Sequence, residues 1–195
     1  MRYDVFVTVW GQSFVRKFID LSLVSQLALG NLPALAENAD VYYHIYTDKE
    51  SREFFRSNLL ELSKYARIQF YYFDEIAYGS GNLQQAIVNS DITTIKHNVQ
   101  RITANHMLSG LKDSAAILMD SDFIIADGSL DRMHDLRQNG KRAVMTTLMR
   151  LNETTASPVL QKDFAFYLEA RNLVKLCIKY MHPIFAAYFM DSLRC

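Results

Sequence analysis

Short runs of β-branched and aromatic residues alternate along this chain with stretches of helical periodicity. That alternation is the signature of a mostly parallel sheet with helices on both faces, because parallel neighbours need a crossover and a helix is the usual one. The strand-like runs are Tyr3 to Trp10, Val41 to Thr47, Arg67 to Phe73, Ala115 to Met119 and Arg142 to Met149. Helical patterns cover Phe14 to Leu29, Asp48 to Tyr65, Leu83 to Leu111 with a break near Ser90-Asp91, and Ser129 to Asn139. A last one runs from Gln161 to Tyr188, interrupted at Pro183. Between the first helix and the second strand, Leu32 to Leu35 reads as a helical turn at most. Ser13 and Asp48 are positioned as N-caps, and Gly30 and Gly140 as helix-ending residues free to take positive φ. Asp74 to Asn82, with Gly79, Ser80 and Gly81, reads as a loop. The fold class expected is α/β, Rossmann-like, with 1–195 as a single domain.

Composition removes several function classes. The 195 residues carry 21 Lys and Arg against 21 Asp and Glu, so there is no broad cationic surface of the kind nucleic acid requires. The cysteines, Cys177 and Cys195, lack the spacing of a zinc site and fit a reducing compartment. Asp4, Thr8 and Gln12 interrupt what would be the apolar core of a signal peptide. No apolar run approaches the roughly 20 residues of a membrane span. The expectation is a cytoplasmic protein, or a soluble domain of a longer one.

The chemistry concentrates in Met119-Asp120-Ser121-Asp122-Phe123-Ile124-Ile125-Ala126-Asp127-Gly128-Ser129-Leu130. The strand from Ala115 to Met119 is apolar throughout, as a parallel strand covered on both faces should be, and it runs into two carboxylates spaced one residue apart. Ligands of open α/β sheets bind at the carboxyl ends of strands. Two carboxylates there repel one another, and a hard divalent cation relieves the repulsion, so Asp120 and Asp122 read as a metal–diphosphate site for Mg²⁺ or Mn²⁺. A calcium loop of the EF-hand type fails, because Ile124 and Ile125 stand where a ligand and a glycine are needed.

That run resembles the Asp-x-Asp segment of nucleotide-sugar glycosyltransferases of the GT-A fold, closest to their family 8-like branch. The opening β-α-β without a Gly-x-Gly-x-x-Gly signature agrees with it. The resemblance implies a divalent cation, Mn²⁺ or Mg²⁺, bound directly by Asp122, with Asp120 on the cation or the donor ribose and Ser121 beside them. It also implies a nucleoside diphosphate sugar as donor, a UDP-sugar first, and a glycan, protein or lipid acceptor. By position, Thr8, Trp10 and Gly11 border the nucleotide pocket. Arg101, on the helix before the motif, is the candidate for the diphosphate, sharing its face with His97 and Asn105. His106 continues the apolar stripe of Ile95, Val99 and Ile102, so a hydrogen-bonded core histidine is expected there. The family's C-terminal His segment, which completes the metal shell, has no counterpart here. His134 or His182 would have to substitute, with water the other choice.

Each residue also has a plainer role. Trp10 can be core, Asp48 a helix cap, Arg101 part of a solvated face, and Asp127 with Ser129 a loop and helix cap. Two rival functions stay open: a non-catalytic nucleotide-sugar-binding module, and a phosphatase or phosphotransferase of the haloacid dehalogenase type using Asp120 as nucleophile.

Overall fold

A computed structural model describes residues 1–55, 59–73, 92–110 and 114–188, the side chains of 92–96 and 110 excepted. Four parallel strands form one sheet in the order β3-β2-β1-β4: β1 (Arg2–Thr8), β2 (Asp40–Thr47), β3 (Arg67–Tyr72) and β4 (Ala115–Asp120). The protein is therefore α/β, with an all-parallel sheet and helices on both of its faces. No described helix is long and apolar enough to cross a membrane.

Strand parity divides the core in two. Tyr3, Val5 and Val7 of β1, with Tyr43 and Ile45 of β2, point to the larger core. There they meet Val15 of α1 (Gln12–Lys17), Phe18 and Leu23 of a π-helical turn (Phe18–Leu23), and Leu32 and Leu35 of α3 (Leu32–Asn38). Between these lies the short α2 (Val24–Gln26). On the other face a smaller core gathers Phe6, Tyr46, Phe73 and Val99, the last from α5 (Ile92–Gly110). Between β2 and β3, a 3-10 turn (Ser51–Phe55) and α4 (Leu59–Leu62) stand where one continuous helix was expected, and Phe55 and Leu62 are buried as its pattern requires.

Several expectations need correcting. Leu32–Asn38 is a full helix, with Pro33 in its first turn, where the ring costs no hydrogen bond. Ser13 lies inside α1, which Gly11 precedes. Gly30 does not take positive φ; among the described residues the glycines that do are Gly11, Gly128 and Gly140. Gly140 does end α6 (Ser129–Gln138) as expected. Residues 142–149 form no strand: they are exposed almost throughout, Met145 at 93%. β-Propensity is realised only against a neighbouring strand, and none pairs with them among the described residues. β4 is the end strand, so only Ile117 and Met119 are buried while Leu118 is 62% exposed. The C-terminal helical region starts before Gln161, with α7 (Glu153–Lys162), and the expected pattern is broken into α8 (Phe164–Leu168), α9 (Ala170–Lys179) and α10 (Pro183–Ala186). Asp163 and Glu169 cap α8 and α9 through their side chains, and Pro183 starts α10 rather than interrupting a helix.

Candidate functional site

The chain lays β2 and β3 on one side of β1, then crosses through α5 to place β4 on the other. The β1/β4 boundary is the point where strand order reverses, and in open α/β sheets ligands bind beside the carboxyl ends of strands at such a point. Register puts Thr8 opposite Asp120 at that boundary. Thr8, Asp120 and, two residues on, Asp122 therefore share the carboxyl edge of the sheet.

Asp120 and Asp122 are both exposed, and Ser121 is half-buried. The chain turns sharply here, the Phe123 N–H donating to the Asp120 carbonyl at 3.2 Å. It then descends along the larger core, burying parts of Phe123 and Ile125. The descent is pinned at each step. The Ile125 N–H donates to Ser25 Oγ at 3.2 Å, and Asn31 Nδ2 donates to the Ala126 carbonyl at 3.0 Å. Asp127 Oδ1 accepts from the Gly30 N–H at 2.7 Å, and the Asp127 N–H donates to the Leu168 carbonyl at 2.8 Å. Asn31 Oδ1 then accepts from the Leu130 N–H at 3.0 Å, so Asn31 supplies the hydrogen bond at the start of α6 that was expected from Asp127 and Ser129.

The β1 side is built just as closely. Gly11 has φ 79°, a conformation that favours glycine, and its N–H donates to Ser51 Oγ at 2.8 Å. Asp48 holds Ser51 through its N–H at 2.6 Å and its hydroxyl at 3.0 Å, so Asp48 has the capping role that its position suggests. The turns after β1 and β2 are thereby tied together. Trp10 is half-buried and meets Phe73 edge-on, ring centroids 5.6 Å apart. Thr103 of α5 donates to the Val99 carbonyl at 3.0 Å, so its oxygen accepts from Thr8 Oγ1 at 3.3 Å.

That contact also orients α5. Thr103 and Val99 face the sheet, and Arg101 is about 200° around the helix from Thr103, on the outer side with exposed His97 and Asn105. His106 returns to the sheet side and hydrogen-bonds the Tyr46 hydroxyl, although the residue as a whole is exposed. His134 is buried at the amino end of β1, where Nδ1 meets the Tyr3 hydroxyl at 3.0 Å and Nε2 meets Gln138 at 3.3 Å. Five residues of strand, about 16 Å, separate Tyr3 from Thr8, so His134 is not a ligand beside Asp120. His182 Nδ1 accepts from the Ile184 N–H and starts α10. The stretch from Asp74 to Asn82, expected as a loop, and the start of the helical pattern from Leu83 to Asp91 lie outside the described residues, as does Cys195.

One polar cluster escaped the sequence reading. Arg2 forks onto the buried Asp4 carboxylate at 2.7 and 2.9 Å, and Asp4 Oδ1 accepts from His44 Nε2 at 2.7 Å. His44 Nδ1 reaches the Tyr71 hydroxyl at 3.2 Å. Burial alone would raise the Asp4 carboxyl, but its hydrogen bonds, that from Arg2 foremost, outweigh it and hold it below the usual carboxylate range. For His44 burial wins over the attraction of Asp4, and its pKa is lowered. The available signal was an acidic residue at a core position of an otherwise apolar strand.

Among the described residues no group of three or more His, Cys, Asp or Glu side chains is arranged to hold a metal. The two exposed carboxylates offer oxygen donors of the kind Mg²⁺ or Mn²⁺ takes when phosphates and water complete its shell. No family model matches this chain, and neither does any curated protein or solved structure.

Proposed function

We propose that this chain is a GT-A-type, family 8-like domain that binds a nucleoside diphosphate sugar with a divalent cation and transfers the sugar to an acceptor. The observation that carries the reading is the pairing of Thr8 with Asp120 at the strand-order reversal, with Asp122 exposed just beyond. In this reading Asp122 holds Mn²⁺ or Mg²⁺, Asp120 holds the cation or the ribose, and Ser121, Thr8, Trp10 and Gly11 border the donor. The bound cation supplies positive charge against the diphosphate as it leaves. The Gly11 N–H is already given to Ser51, so that residue contributes room for a ligand rather than a donor group.

Placement of Arg101 on the outer face of α5 removes it from the strand ends in this conformation, and the diphosphate is left to the cation. A second reading, donor binding without turnover, is favoured by the histidines. His134 is at the far end of β1, and the His182 ring nitrogen Nδ1 is engaged in a helix start.

Thermal unfolding with UDP, GDP and CDP, each with and without Mn²⁺, tests the donor site. A ligand that binds only the folded chain raises its stability by mass action. A rise that needs both Mn²⁺ and one nucleotide supports the reading and names the base. No rise with any pair refutes it. Release of free sugar from the matching donor then separates transferase from binding module.

A further inference from the structure

Charge is unevenly distributed along this neutral chain. Between residues 141 and 188 there are seven Lys and Arg against three Asp and Glu, although the whole chain balances to zero. Helix α9 lies in this stretch and is strongly amphipathic. Its apolar arc is wider than the part the protein covers. Leu176 is buried and Leu173 and Cys177 are half-buried, while Val174 and Ile178, one turn apart, are 50% and 62% exposed. Arg171, Lys175 and Lys179 run beside that exposed ridge at four-residue intervals, all three exposed. None of the three cations is in an ion pair with a described residue.

We propose that α9 docks this chain onto an anionic lipid surface, with Val174 and Ile178 entering the headgroup boundary and Arg171, Lys175 and Lys179 meeting lipid phosphates. A helix with an apolar strip and a basic flank lies in the plane of a membrane interface, which requires no spanning segment. Long lysine stems suit that position, since they can lie over acyl chains while the ammonium reaches the headgroups. A protein groove is the poorer occupant, because the exposed ridge has no aromatic anchor of the kind that dominates protein interfaces. The proposal is independent of the donor-site reading, because α9 contributes no residue to it.

Vesicle flotation of the full chain provides the test, comparing phosphatidylcholine vesicles with vesicles that also contain phosphatidylglycerol. Binding should appear only with the anionic lipid and weaken as salt is added. Lys175→Gln and Lys179→Gln should each weaken partitioning roughly fivefold. The double variant Val174→Ser, Ile178→Ser should lose binding while its circular dichroism and melting temperature match the parent, as exposed side chains allow. Equal binding to both vesicle types, unchanged binding by the double variant, or no binding by the folded parent would each overturn the proposal, the last leaving the face to a protein partner.

Discussion

Gly30 is placed where two backbone segments touch. A Cβ there would lie 2.7 Å from the Gly128 backbone and 2.9 Å from Asp127 Oδ1. Its small size is needed for close approach, whereas Gly11 is needed for its positive φ. Gly30→Ala should therefore destabilise the fold by about 1–3 kcal/mol, read from chemical denaturation, because the obstacle is backbone and cannot rotate aside. Asn31 is the second such residue: it is fully buried, donates to the Ser25 and Ala126 carbonyls, and accepts from the Leu130 N–H. Removing it in Asn31→Ala leaves the buried Leu130 N–H without its partner and takes one donor from the Ser25 and Ala126 carbonyls, which also accept from the Ala28 and Ser129 N–H groups, for an expected loss of about 1–3 kcal/mol. A loss under 1 kcal/mol, within reach of an ordinary surface substitution, would show that water takes over its bonds. The sequence reads Gly30 as a helix end and does not mark Asn31 at all. Their partners at Ala126, Asp127 and Leu130 lie nearly a hundred positions away, and local chemistry has no access to such distances.

At the scale of elements, legibility follows the strength of the local pattern. The first four strands lie within two residues of where β-branched and aromatic runs place them, since their alternation or continuous apolarity has one stable use. The run at 142–149 also mixes apolar and β-branched residues but has no partner strand among the described residues, so composition alone misleads there. The proposed donor site divides along similar lines. That Asp120 and Asp122 stand at a strand end was legible because a strand end is a local event, but the facing of α5 was not, since it depends on Thr103 meeting Thr8. That facing yields a test. Arg101 is on the outer side, so Arg101→Ala should leave any Mn²⁺-dependent nucleotide shift in melting temperature unchanged, whereas Asp122→Ala should abolish it. A shift lost equally in both variants would mean that α5 turns or moves on binding and that the described facing belongs to the free protein only.

For the molecule as a whole, the sheet carries a titratable cluster that ties its stability to pH. Asp4 and His44 come from adjacent strands and are both buried, so their ionisation is coupled to the integrity of the sheet rather than to a loop. Folding lowers the His44 pKa, burial being the larger cause. The unfolded chain therefore takes up a proton on this histidine near pH 6.5, while the folded chain resists until lower pH. In that window the unfolded state holds more protons, and stability falls as the solution is acidified. Asp4 acts with the same sign further down: its folded pKa is also lowered, so the stability it contributes is present above the usual carboxylate range and lost as pH falls through its folded value. Melting temperatures of the parent and of His44→Gln, followed from pH 8 to pH 5, isolate the histidine's part. Glutamine can still donate to Asp4 but cannot charge, so the variant's curve should fall less steeply below about pH 6.5. Parallel curves would mean that His44 reaches solvent readily enough to titrate alike in both states.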